Sequence, residues 1–274
     1  MQVIDRGHGV PIVMIPGIQG RWEYMRPAIE ALERSFRIIT FALAGERKSR
    51  RPFDPARGLD NFVDQIDEVL DQRGLTSAVI CGVSFGGVVA LRYAAERPGR
   101  TKALLLVSTP GPDFHLRARH RIYARLPWIF GPAFLAEIPR RVAPELERAL
   151  PNTGERLRFS WRQVRTFFRA PMSVTKMAER GVLIQSTSRQ QDCVRVTAPT
   201  LVVAGEPSLD RIVPPEGTAA YVRLISGAQI ARIEDSGHLG YITRPGAFHA
   251  IVAGFLETLG LAATSAHASE HDAA

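Results

Sequence analysis

The chain has 274 residues, 45% of them hydrophobic, and a formal net charge of +8, a composition normal for a soluble globular protein of one or two domains with a sizeable core. Its two cysteines, Cys81 and Cys193, form neither a disulfide framework nor a metal-ligand spacing, so free thiols in a reducing, cytoplasmic setting are expected. The N-terminus lacks the basic-then-apolar pattern of a signal peptide, and no run approaches the roughly 18 apolar residues of a membrane span, so no stable membrane insertion is expected.

In chain order, Pro11–Ile15 (PIVMI) predicts a buried strand ending at Pro16-Gly17, and Trp22–Arg34 a helix. Phe36–Leu43 predicts a second strand. Leu59–Arg73 carries Phe62, Val63, Ile66, Val69 and Leu70 at helical spacing. Ser77–Gly82 predicts a third strand, Ser84–Arg97 a helix stopped by Pro98-Gly99, and Lys102–Ser108 a fourth strand. Alternating strands and helices, with strands apolar along their whole length, imply a doubly wound, mostly parallel sheet covered on both faces. The right-handed crossover rule leaves only a few such topologies.

The alternation stops at Pro110-Gly111-Pro112. From there to Arg195 the chain is Arg-rich and helical in pattern, with no strand-like run. Between Asp113 and Arg169 twelve arginines face five carboxylates, so nearly all the surplus charge sits in this segment. Phe114, Trp128, Phe130, Phe134, Trp161, Phe167 and Phe168 are available either to line an apolar pocket or to pack the segment onto the core. Alternation resumes with a strand at Thr200–Ala204, a helix at Pro214–Ile225, a strand at Gln229–Ile233 and a last helix at Arg244–Leu259. The expected organisation is an α/β core over 1–111 and 196–261, a helical cap inserted at 112–195, and a disordered tail at 262–274. In that tail His267 and His271 read as solvated rather than as a metal site.

The sequence Gly82-Val83-Ser84-Phe85-Gly86 fits G-x-S-x-G between an apolar strand and a helix, the context of a nucleophile elbow. A sharp strand-to-helix turn would lift the Ser84 hydroxyl above the sheet, the two glycines would permit the close approach, and the Phe85 N–H would face a developing oxyanion. The alternative is that Ser84 merely caps the helix. A serine nucleophile needs a base. Of seven histidines, His238 lies in a loop between the last strand and last helix, on the side where open α/β sheets bind ligands. Two carboxylates follow the Thr200–Ala204 strand closely enough to orient it: Asp210, favoured, and Glu206.

These motifs together, PIVMIPG, GVSFGG, PTLVVAGEP with LDRIVPPE, and DSGHLGYITRP, resemble the α/β-hydrolase family in order and spacing from Val10 to Leu259, the insertion excluded. The resemblance implies a Ser84–Asp210–His238 triad, a second oxyanion N–H from Ile18, and an insertion that acts as a cap over the active site. Two departures stand out. Pro16-Gly17 replaces the family's frequent His-Gly, and the acid loop is longer by Pro207-Ser208, which keeps Glu206 open. Ala44–Ser49 resembles a structural turn of the family. The implied activity is hydrolysis of a carboxylic ester with a hydrophobic acyl part, through an acyl-enzyme and with no cofactor or metal. Cleavage of a C–C bond, lactone or thioester, or a ligand receptor with little turnover, are the alternatives. The +8 charge comes with no nucleic-acid recognition motif, so the expected partner is a small-molecule substrate.

Overall fold

The computed structural model describes residues 2–261; the 262–274 tail, with His267 and His271, lies outside them. Seven strands form one sheet in the order β1-β3-β2-β4-β5-β6-β7. They are β1 (Val3–Arg6), β2 (Pro11–Ile15), β3 (Arg37–Phe41), β4 (Ala78–Val83), β5 (Thr101–Val107), β6 (Thr200–Ala204) and β7 (Gln229–Arg232). Every pairing is parallel except β1 with β3. Sequence reasoning missed β1, whose Val-Ile-Asp-Arg stretch lies half in solvent at the sheet edge. There Asp5 takes ion pairs from Arg37 and Arg73, the charged edge that discourages further strand pairing.

Side chains alternate across the sheet, as period-2 geometry requires. Val13, Ile15, Ile80, Leu104 and Val202 pack on one face with α2 (Asp60–Gln72) and α3 (Phe85–Glu96). Ile12, Met14, Cys81, Leu105 and Val203 pack on the other with α1 (Arg26–Leu32) and the last helix, Pro245–Thr258. Each such fully buried aliphatic side chain contributes about 1.5–3 kcal/mol. Cys81 and Cys193 are free and buried, and burial pushes both thiols up to about 12, which makes them inert packing groups.

Between β5 and β6 run α4 (Ala118–Arg125), α5 (Pro127–Ala149), α6 (Thr153–Arg169), α7 (Val174–Ser186) and α8 (Arg189–Arg195). Of these, α8 turns back to the core, where Cys193 joins the cluster under α3 and Asp192 pairs with Arg92 at 3.0 Å. After β6 come α9 (Pro215–Ala219) and α10 (Tyr221–Leu224), and after β7 come α11 (Gly240–Thr243) and α12 (Pro245–Thr258).

Two predicted helices are each divided. Trp22–Met25 is a 3₁₀ turn and α1 starts only at Arg26, because Pro27 lacks the N–H that a continuous helix would need there. The Pro214–Ile225 helix is α9 plus α10, tied to the end of β5 by Thr218 Oγ1 to Thr109 O at 2.8 Å and Tyr221 OH to Pro110 O at 2.6 Å. Among the described residues no helix is long and apolar enough to cross a membrane.

The strand order reverses between β2 and β4. The carboxyl ends of these two strands flank the crevice where open α/β sheets bind their ligands, and Ile18 and Ser84 follow those ends.

Candidate active site

Ser84 occupies the bend between β4 and α3 with φ 53° and ψ −118°. A left-handed φ at a non-glycine residue is strained by about 1–3 kcal/mol and persists only where the surroundings enforce it. Those surroundings are two glycines with no room for a side chain. A Cβ on Gly82 would lie 2.2 Å from Gly86 O, and one on Gly86 would lie 2.3 Å from Ile15 O. The helix-cap alternative fails, since the Ser84 side chain makes no capping hydrogen bond. Its backbone N–H instead donates to Val107 O at 2.8 Å.

The loop after β2 lies against this bend. A turn closes from Gly20 N to Gly17 O at 2.8 Å, and a Cβ on Gly17 would stand 3.5 Å from Ser84 Cβ. Ile18 is in this turn, and Phe85 opens α3 directly after the serine. The turn is held from outside the core by Arg180 of α7, which donates from Nη1 to Ile18 O at 2.9 Å and from Nη2 to Glu46 Oε1 at 2.8 Å. The Arg180 and Glu46 side chains are only 2% and 5% exposed, so removal of either would strand a buried charge. Burial pushes the Arg180 guanidinium down while Glu46 opposes the shift. Thus the Ala44–Ser49 turn, expected to be structural, anchors the strut behind the Ile18 loop.

His238 and Asp210 sit in the loops after β7 and β6, at the same carboxyl edge of the sheet. His238 Nδ1 meets Asp210 Oδ2 at 3.3 Å, with side chains 8% and 5% exposed. Asp210 Oδ1 accepts the N–H groups of Ile212 and Val213, both at 2.9 Å. Burial works to raise the Asp210 pKa, but the facing imidazole and the two backbone donors outweigh it and hold the carboxyl below its ordinary value. Burial likewise opposes charge on His238, yet Asp210, helped by Glu145, lifts its pKa above the ordinary imidazole value. Glu206 does not face His238. Its Oε1 accepts Asp235 N at 2.7 Å and its own N–H donates to Ser236 O at 2.7 Å, so it splices the two loops together. Asp235 itself sits in a turn, with φ 52°.

A third carboxylate escaped the sequence reading. Glu145 of α5 is 1% exposed and accepts Leu239 N at 2.8 Å. Burial pushes it up to about 7, against the pull of the Gly237 and Leu239 N–H groups and of His238. An acid that holds its proton more tightly when folded lowers stability as pH rises past its unfolded value of 4.5. The loss is absent below that pH and complete above about 7, where a shift of this size amounts to about 3 kcal/mol. Glu145→Gln keeps an acceptor for Leu239 and removes the titration. Urea unfolding should therefore show the wild type losing up to about 3 kcal/mol more than the variant between about pH 4.5 and 8; parallel profiles would contradict the assignment.

Beside the Arg180 strut opens a cleft of about 960 Å³, lined by Arg47, Lys48 and Arg50 on one wall and Arg169, Met172 and Lys176 on another. Neither Ser84 nor His238 lines it. Among the described residues no group of three or more His, Cys, Asp or Glu side chains is gathered to hold a metal ion.

A family model described as the alpha/beta hydrolase fold matches residues 10–245. A 2-hydroxymuconate semialdehyde hydrolase of Pseudomonas sp. (strain CF600) is 28% identical over 268 residues, covering 95% of this chain and 92% of its own. Among solved structures, the enol-lactonase from Burkholderia xenovorans LB400 superposes with a TM-score of 0.76 at 21% identity, covering 93% of this chain and 96% of its own. An esterase from Exiguobacterium antarcticum gives 0.78 at 20% identity, with 93% and 94% covered. At such identities the structural likeness speaks for the fold alone.

Proposed function

This chain belongs to the alpha/beta hydrolase fold family, and from that premise we propose that it is a serine hydrolase in which Ser84, His238 and Asp210 act together on a carboxylic ester. The observation that carries the reading is the strained Ser84 bend at the sheet's switch point, at the same strand edge as the buried His238–Asp210 pair. His238 takes the Ser84 proton as the oxygen attacks the ester carbonyl. Asp210 holds the imidazole tautomer and stabilises the imidazolium. The backbone N–H groups of Phe85 and Ile18 receive the oxyanion, each worth about 3 kcal/mol of barrier. His238 then protonates the leaving alcohol, and water, activated by the same imidazole, releases the acid. The cycle balances with water as sole co-substrate.

In this reading the helices inserted between β5 and β6 form a cap. Two of their side chains already support the site, Arg180 beneath the Ile18 loop and Glu145 beneath the His238 loop. A hydrophobic acyl part is supported by the apolar groups near the Ile18 turn. Leu116 and Ile18 both flank Gly181 of α7, within 3.5 Å and 4.0 Å of where its Cβ would stand. The names of the relatives favour one second reading, hydrolysis of a lactone or of a semialdehyde substrate at the same serine. The discriminating experiment is a p-nitrophenyl ester series of increasing chain length, run beside an enol lactone and 2-hydroxymuconate semialdehyde. Turnover of at least one ester, improving with an apolar chain, is expected. Turnover of the lactone or the semialdehyde without ester turnover would favour the second reading, and turnover of none of them would contradict both.

A further inference from the structure

Helix α6 presents three distinct faces. At 100° per residue, Phe159, Gln163 and Thr166 share one face, and this face meets the protein. Phe159 is buried with the cluster over α1 and α12, and the next residue, Ala170, is buried and accepts the Tyr24 hydroxyl at 2.9 Å. Leu157, Trp161, Val164 and Phe168 recur at i, i+4, i+7 and i+11, which aligns them as a second face about 16 Å long. That face is not packed: the four side chains are 70%, 63%, 43% and 79% exposed. Arg158, Arg162, Arg165 and Arg169 repeat the same spacing one residue later, giving a third face of four exposed arginines along the edge of the apolar one. None of these four guanidinium groups has an ion pair or a side-chain hydrogen bond with another described residue.

Soluble proteins rarely leave a continuous row of large apolar side chains in water unless something covers it. The charge beside the row selects the partner. Interfacial helices combine an apolar face containing Trp and Phe with flanking Lys and Arg that reach lipid phosphates. A second copy of the chain would bring an identical arginine row and another net +8 to the contact, and α6 offers only Glu155 against it. An acidic bilayer satisfies both faces at once. We propose that α6 is a peripheral docking helix: its Leu157–Trp161–Val164–Phe168 face enters the headgroup–acyl boundary of an anionic membrane while the arginine row binds lipid phosphates. The helix lies in the interface and does not cross it. The proposal is independent of the chemistry at Ser84.

The test is co-sedimentation of the full chain with equimolar phosphatidylcholine–phosphatidylglycerol vesicles and with pure phosphatidylcholine vesicles, at low and high salt. Binding to the acidic vesicles is expected to be at least about tenfold tighter and to weaken with salt, since each arginine at the surface contributes severalfold in affinity. Trp161→Ser/Phe168→Ser and Arg162→Gln/Arg165→Gln should each reduce partitioning by about tenfold or more. All four side chains are exposed, so circular dichroism and the unfolding midpoint should match the wild type. The proposal is overturned if folded wild type ignores acidic vesicles, or if both double variants bind them as well as wild type does. It is also overturned if sedimentation velocity finds a dimer that Trp161→Ser/Phe168→Ser dissociates while vesicles capture nothing.

Discussion

Ser84→Ala is expected to lower turnover of an activated ester by about five to six orders of magnitude while leaving KM within a few-fold. Alanine keeps the β-carbon at this bend, and the serine hydroxyl makes no capping bond that its removal would break. The fold should therefore survive: the left-handed φ of 53° is enforced by Gly82 and Gly86, whatever the side chain between them. What disappears is the atom proposed to form the acyl-enzyme. A residual rate above water is expected from the oxyanion donors of Phe85 and Ile18. A loss below about a hundredfold would mean that another nucleophile, or a bound water, does the work.

The second large effect is expected at the acid. In Asp210→Asn, Oδ1 can still accept the Ile212 and Val213 N–H groups, so the loop is retained. The amide NH₂ then faces His238 Nδ1, which had been 3.3 Å from a carboxylate oxygen. Donor meets donor, the imidazole must adopt the other tautomer, and kcat should fall about 10⁴-fold. Glu206→Gln is the control. Its Oε1 still accepts Asp235 N, the bond now made at 2.7 Å, and kcat should stay within about threefold of wild type, as a loop-splicing role without charge transfer implies. Stopped assays on the two variants decide between the carboxylates. A larger loss in Glu206→Gln would reverse the assignment.

The features readable along the chain were local ones. Apolar runs with β-branched residues marked β2, β3, β4, β5 and β6 because a parallel strand buried on both faces must be apolar throughout. The glycines around Ser84 were legible because close backbone approach has a composition. Asp210 and Glu206 could not be separated by spacing, since the choice depends on which way the loop folds over His238. Glu145 and Arg180 left no signal. Their partners, Leu239 and Ile18, are 94 and 162 residues away, and a buried arginine reads like the solvated ones around it. The aromatic residues of the inserted helices illustrate the same limit. Trp161 and Phe168 were open to either pocket lining or core packing, but the face that meets the protein is set by Phe159 and by the anchoring of Ala170. Core packing therefore fails for Trp161 and Phe168. The β1 strand was missed because a half-exposed edge strand carries charge instead of the apolar signature.

The Glu145 and Arg180 contacts also join the inserted helices to the site. One carboxylate of the inserted helices fixes the His238 loop and one guanidinium fixes the Ile18 loop. Movement of α5 would thus disturb the base and movement of α7 an oxyanion donor, which ties the position of the inserted helices to catalytic competence in the mechanism proposed here.

The most direct measurement is covalent labelling of wild type and Ser84→Ala with a fluorophosphonate, followed by mass mapping of the adduct. A single phosphonyl group on Ser84, formed at neutral pH and absent from the alanine variant, is the predicted result. Equal labelling of both proteins, or an adduct elsewhere while Ser84 stays unmodified, would contradict the account.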